Sequence, residues 1–312
     1  MSPKPFLVLG LTALLSFIST QVAIPVETGD LVPREAEPYP DNFLQRIRAA
    51  AGTIPGERAV AINFVKVAES HRTYAAVIED GSEEPFISAR TAFQVAFPDG
   101  TVMLDSGMDE EVHRYYGFGR EEPYWQDVND DVQAALRDAQ LILITHEHGD
   151  HVAGVLRTAY RDELAPKTIL TTDQVRTLNL APQLPQIRLT PTEARDYIVV
   201  DYEDVLPVAP GIVLIKSPGH THGHQMIYVQ LDNEREFLFI GDIGWSLDNI
   251  TELKLRPAAT IERVGEDPQA LMYQMTWIKR VMDDEGLVVV PAHDDVLLTR
   301  YAADGLLGTE LR

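Results

Sequence analysis

The chain has 312 residues, 45% of them apolar, no cysteine and a formal net charge of −22. That length and apolar share permit a buried core and argue against global disorder. The charge opposes binding to a phosphate backbone, and the absence of cysteine excludes disulfides, thiolate ligands and a cysteine nucleophile.

Residues 1–23 read as an export signal: Lys4 precedes an apolar run from Phe6 to Ile18, shorter than the roughly 20 residues of a spanning helix. Cleavage after Ala23 is expected, although Gln21 stands where a small residue is favoured. The expected product is exported, periplasmic or extracellular, with no stable membrane insertion; the alternative is an uncleaved anchor. Residues 24–58 form an expected tether, rich in proline and acids up to residue 40, and a helix, Asp41 to Ala51, with Asp41 or Asn42 as cap.

Strands are predicted at Ala59–Ala68, Tyr74–Ile78, Ala92–Phe97 and Thr101–Leu104, with Pro98-Asp99-Gly100 as a hairpin turn. A helix over Val128–Ala139 leads into a strand at Leu141–Ile144, and another helix is expected at Val152–Tyr160. Further strands are predicted at Ile212–Ile215, Met226–Val229, Phe237–Ile240 and Leu287–Val290, with Asp232-Asn233-Glu234-Arg235 as a turn. Asp267 is placed to cap a helix from Pro268 to about Met282. Grouped strands with interspersed helices fit two facing sheets flanked by helices, among other α/β arrangements.

The chemistry concentrates in Ile144-Thr145-His146-Glu147-His148-Gly149-Asp150-His151. Neutral imidazole and carboxylate are ligands for zinc and similar divalent ions; iron or manganese can use much the same residues. On an extended segment His146 and His148 share a face, and Gly149 lets the chain bend and aim Asp150 and His151 elsewhere, so one loop can feed two metal positions. Four more loops follow apolar strands: Asp105-Ser106-Gly107, Ser217 to His224, Gly241-Asp242 and Pro291-Ala292-His293. Seven of the nine histidines lie in these loops and the main one; only His71 and His113 do not.

At these residues the chain resembles the metallo-β-lactamase superfamily. His146-Glu147-His148-Gly149-Asp150-His151 matches its H-x-H-x-D-H, Pro218-Gly219-His220-Thr221 its P-G-H-T, and Gly241-Asp242 its bridging aspartate. His293 matches its last histidine, and Leu104-Asp105-Ser106-Gly107 its early D-x-G element. The resemblance covers roughly residues 90–296 and implies an α/β fold of the αββα four-layer sandwich type over 59–312. It implies two divalent metal ions, zinc by default, one on His146, His148 and His220, the other on Asp150, His151 and His293, with Asp242 between them. It further implies a hydrolase that attacks a small-molecule substrate with a hydroxide shared by the two metals, Asp150 orienting that hydroxide and handling its proton. Asp105 is expected to support a ligand from behind and Glu147 to be exposed. His224 is expected to pack rather than ligate, His222 to face substrate or solvent, Trp245 to line the pocket or the core equally well, and Asp294 and Asp295 to be solvated. Asn249-Ile250-Thr251 matches a glycosylation sequon by chance as easily as by design.

Within the superfamily, the missing cysteine excludes the β-lactamases that use a cysteine ligand, and Asp242 argues against those that lack the bridging aspartate. His148 stands where flavodiiron members have glutamate. Only residues 294–312 follow His293, too few for the helical domain of glyoxalase II-like members. Lactonases share the full ligand set, but often carry a tyrosine shortly after the bridging aspartate, where this chain has Trp245. The first expectation is a lactone or carboxylic ester; a phosphotriester hydrolase and a β-lactamase-like activity are the alternatives. A non-catalytic, metal-binding exported protein is the other class, disfavoured because structural zinc sites are normally closed whereas these ligands leave a shared open position.

Overall fold

The computed structural model describes residues 36–312, so the expected signal segment lies outside the described residues. Two sheets form the centre. The first runs β1 (Ala61–Thr73), β2 (Pro85–Phe97), β3 (Gly100–Leu104), β4 (Leu141–Leu143), β5 (Thr168–Thr171) and β6 (Ile198–Val200) in that spatial order. Its first three strands pair antiparallel and the rest parallel. The second sheet contains β7 (Val205–Ala209), β8 (Ile212–Lys216), β9 (Gln225–Gln230), β10 (Glu236–Gly241) and β11 (Val288–Pro291), in the order β11-β10-β9-β8-β7. Here β10 and β11 are parallel and the remaining pairs antiparallel.

The strands read as unbroken apolar runs because both of their faces are covered. In β8, Ile212 and Leu214 face the other sheet, while Val213 and Ile215 face helices. In β10, Phe237 and Phe239 point inward and Leu238 and Ile240 outward. Phe93 of β2 meets Phe239 edge-on across the inter-sheet layer, with ring centres 5.0 Å apart. Helices Gln126–Asp138, Gly149–Leu156 and Thr172–Leu180 cover the outer face of the first sheet, and helices Phe43–Ala51 and Pro268–Glu285 that of the second. The result is the four-layer αββα sandwich.

Helix Phe43–Ala51 buries Phe43, Leu44, Ile47 and Ala51 against Val213, Ile215, Tyr228 and Trp277. Ile47 is fully buried, so Ile47→Ala is expected to cost about 2–5 kcal/mol of stability. Denaturant unfolding checks this; a loss below about 0.5 kcal/mol would show that the helix adds little.

Several expectations are corrected. Tyr74–Ile78 is not a strand: Tyr74–Ala76 forms a 3₁₀ turn, with Tyr74 O receiving the N–H groups of Val77 and Ile78. Those β-branched and aromatic residues suit a strand, but they end β1 where the chain turns back into β2. The helix expected at Val152–Tyr160 runs instead over Gly149–Leu156, which puts Asp150 and His151 in its first turn. Asn249 is buried and donates to Val77 O and Lys254 O, so the sequon is structural.

Candidate metal centre

Strands β3 and β4 are parallel, and β8, β10 and β11 also share a direction, so the loops after them converge at one end of the sandwich. Ligand-type side chains at strand ends sit on rigid supports. The loop after β4 is tied across both sheets: Thr145 O receives Gln225 N at 2.8 Å, and Ile144 O receives Gln225 Nε2 at 2.7 Å and Gln174 Nε2 at 3.0 Å.

The seven expected ligands come together in two groups, buried except for half-buried His148: His146, His148, His220 and Asp242; and Asp150, His151 and His293. Within each group the candidate ligand atoms lie within 4.8 Å of one another. Asp242 stands between them. Its Oδ2 is 3.4 Å from His220 Nε2 and 3.9 Å from His146 Nε2, while its Oδ1 is 2.9 Å from His293 Nε2 and 3.3 Å from His151 Nε2. Asp150 Oδ2 lies 3.6 Å from both His151 Nε2 and His293 Nε2.

The far sides of the rings are held by acceptors, which aims their other nitrogens inward. His151 Nδ1–H donates to Asp105 Oδ2 at 2.8 Å, His220 Nδ1–H to Glu266 Oε1 at 2.5 Å, and His293 Nδ1–H to Ala89 O at 2.6 Å. Thr145 Oγ1 donates to Asp105 and so accepts from His146 Nδ1 at 3.1 Å. His148 differs, presenting Nδ1 at 3.0 Å from His220 Nε2.

These residues fit a pair of divalent ions. Buried His146 Nε2, His151 Nε2 and Asp242 Oδ1 have no hydrogen-bond partner among the described residues, a costly condition unless something else engages them. Burial holds His146 and His148 in the neutral form that ligates, with His148 lowered to about 3. Burial disfavours ionised Asp150, yet Arg90, His151 and His293 outweigh it and keep its carboxyl below the usual range. Burial also disfavours a charged His151, but Asp150, Asp105 and Asp242 together raise it well above its ordinary value. The carboxylates therefore demand positive charge here.

Asp105 accepts from Thr145 N at 2.7 Å, from Thr145 Oγ1 and from His151 Nδ1. Asp105→Asn puts an amide N–H where at least one of these donors points. Metal affinity is expected to fall about 10–100-fold, read by chelator competition; an unchanged affinity would remove Asp105 from the site.

Expectations about six nearby side chains are decided by the geometry. Glu147 is buried, not exposed: it alternates away from His146 and His148 and accepts from Thr221 Oγ1 at 2.9 Å and Gly223 N at 3.1 Å, joining two site loops. Asp294 is likewise buried, capping helix Asp295–Ala303 through Leu297 N and accepting from Ser246 Oγ and Leu247 N. Asp295 is half-buried and paired with Lys66. His224 packs behind the site, its Nε2 accepting from Asp242 N at 3.2 Å and its Nδ1–H donating to Ser217 Oγ. Trp245 lines the cleft and donates Nε1–H to Asp242 Oδ2 at 2.8 Å; His222 also lines the cleft.

Sequence reasoning missed Arg90, Tyr116, Arg256 and Glu266. Arg90 donates to Asp150 Oδ2 at 2.7 Å and lies over the Tyr116 ring at 4.7 Å. Tyr116 OH accepts from Asp150 N and donates to Gln183 Oε1. Arg256 pairs with Glu266 behind His220. Arg90 alone carried a signal, as a lone cation within an apolar strand.

The family model of the metallo-beta-lactamase superfamily matches residues 89–293. N-acyl homoserine lactonase AiiA of Bacillus thuringiensis subsp. kurstaki is 23% identical over 209 residues, which are 63% of this chain and 77% of that one. A quorum-quenching N-acyl homoserine lactone lactonase superposes with a TM-score of 0.59 at 16% identity, covering 78% of this chain and 95% of that one. AidC, a dizinc quorum-quenching lactonase, superposes with a TM-score of 0.55 at 13% identity, covering 76% and 90%. By its motifs, its fold and the match over residues 89–293, the chain belongs to the metallo-beta-lactamase superfamily.

Proposed function

We propose that this metal-dependent hydrolase opens lactones, with one ion on His146, His148 and His220, the other on Asp150, His151 and His293, and Asp242 between them. The observation that carries the two-metal reading is the division of Asp242, Oδ2 toward one group of rings and Oδ1 toward the other. Similarity to N-acyl homoserine lactonases supports the lactone as substrate. Two divalent ions bound there would lower the pKa of a water and polarise the attacked carbonyl.

The remaining steps fall to side chains. Asp150 Oδ2 is held by Arg90, so Oδ1 is the atom left to take a proton from the attacking water. As the ring C–O bond breaks, the same carboxyl returns that proton to the leaving alkoxide, giving a hydroxy acid. Trp245 cannot do so because its N–H is committed to Asp242, and the Tyr116 hydroxyl is committed to Gln183. Residues 1–23 further favour export of this enzyme, which the N-terminal mass of the secreted product would test.

Lactone opening releases a proton at neutral pH and is followed by pH-stat. Zinc-loaded protein is expected to hydrolyse an N-acyl homoserine lactone, to lose at least about 10²-fold after chelation, and to recover with added zinc. Better turnover of a phosphotriester or a cephalosporin than of any lactone would overturn the substrate assignment.

A further inference from the structure

The mouth of the cleft carries an arginine–aromatic cluster that none of these steps uses. Arg72 and Arg120 share one carboxylate, Glu122, at 2.6 and 3.2 Å. Arg263 is exposed and has no ion-pair partner among the described residues. The Arg72 and Arg263 guanidinium carbons lie 5.6 and 5.5 Å from the centre of the Phe118 ring. All of these arginines line the same cleft of about 920 Å³ as His148, Asp150 and Asp242. Three cations around one anion leave a surplus of two positive charges, on a chain whose net charge is −22.

No acid of the cleft wall forms an ion pair with Arg72, Arg120 or Arg263. Asp150 pairs with Arg90 and Glu266 with Arg256, Asp242 faces the histidines of the metal centre, and Glu147 and Asp267 are held by Thr221 and Gly223 and by the N–H groups of Gln269 and Ala270. Arg72 is spent on Glu122 and the carbonyls of His71 and Tyr116, and Arg120 shares Glu122 through Nε and Nη2, which leaves Arg120 Nη1 and Arg263 to meet a ligand.

An apolar surface stands beside them. Phe118 is 59% exposed and Tyr115 48% exposed, with ring centres 6.5 Å apart. Phe118 is fixed there by its backbone: φ is +50° at Phe118 and +85° at Gly119, and a Cβ on residue 117 would run into the Arg120 carbonyl. A bulky residue in the left-handed region is rare and persists where the surrounding structure enforces it, often at ligand sites.

We propose that the substrate carries a carboxylate on an apolar or aryl body, the carboxylate between Arg120 and Arg263 and the body on Phe118 and Tyr115. This rests on the hydrolase reading and narrows it to anionic lactones. The test compares two γ-lactones of equal chain length, one ending in a methyl group and one in a carboxylate. It adds the matching tetrahydrofurans, which no hydrolase can open. Zinc-loaded protein is expected to favour the carboxylate lactone about 10-fold in kcat/KM at low salt, the scale of one charged hydrogen bond. The ratio should fall between about 20 and 200 mM salt, as screening requires. In Arg120→Gln/Arg263→Gln it should approach one. The tetrahydrofurans, read by calorimetry, should show the same preference in binding. Equal binding of the two tetrahydrofurans to the native protein, or a ratio unchanged in the double variant, overturns the anion site. Preferential binding of the anionic tetrahydrofuran without turnover of either lactone upholds that site and overturns the lactonase reading instead.

Discussion

Asp242→Ala is expected to lower lactone turnover by roughly 10³-fold, the scale of losing a principal electrostatic group from a water-poor site, and to leave fewer than two metal ions per chain. The reason is positional. Oδ2 faces His146 and His220, Oδ1 faces His151 and His293, and no other carboxylate among the described residues lies within ion-pair distance of histidines of both groups. Burial would raise this carboxyl, but His293, His151, His146 and His220 outweigh it and hold it well below the usual range, so it stays ionised. Alanine removes that negative charge from between two cations and also frees the Trp245 N–H. Elemental analysis of dialysed protein and pH-stat turnover check the result. Two ions retained, with turnover within tenfold of the native protein, would defeat the two-metal reading.

The second large effect is expected far from any substrate. Arg256→Met should cost about 3–5 kcal/mol of stability, because it leaves a buried carboxylate without its cation. Arg256 is about 1% exposed in its side chain and Glu266 fully buried. Arg256 Nε donates to Glu266 Oε2 at 3.1 Å, a second nitrogen reaches Oε1, and the guanidinium lies 5.1 Å from the Trp245 ring centre. Burial would raise the Glu266 carboxyl, yet Arg256 and His220 together lower it. Its folded value is thus depressed, so the pair's contribution is present above the ordinary glutamate value of 4.5 and is lost as pH falls through the lower folded value. Calorimetry at pH 7 should show a fall in Tm of roughly 10 °C. Adding Glu266→Gln, which removes the stranded charge, should recover part of it. A Tm within 2 °C of the native protein, or no recovery, would show that the pair is not load-sharing with His220.

Much of this centre was legible because histidines and aspartates followed apolar strands, and parallel strands deliver their ends to one edge. His146, His148, Asp150, His151, His220, Asp242 and His293 meet for that reason. The supports were not legible. Glu266 sits in a polar stretch, Gly265-Glu266-Asp267, that resembles any solvated turn, and only folding brings it to His220. Glu147 looked exposed because its neighbours are ligands and it alternates away from them; the partner that buries it, residues 221–223, is remote in sequence. Asp294 looked solvated for the same reason, since Ser246 is distant along the chain. Tyr74–Ile78 shows the local limit, where strand-forming residues were bent by the return into β2.

The two sheets contribute to both groups. His146 and His148 leave β4 of the first sheet, whereas His220 and Asp242 leave β8 and β10 of the second; Asp150 and His151 belong to the first and His293, after β11, to the second. Each ion would therefore be a rivet through the seam between the halves. Opening the sandwich at that end would require breaking coordination bonds as well as wetting the apolar layer, so metal loading and resistance to unfolding rise together. A protein with no disulfide thus gains at this one end a crosslink of another kind, and one that a chelator can undo.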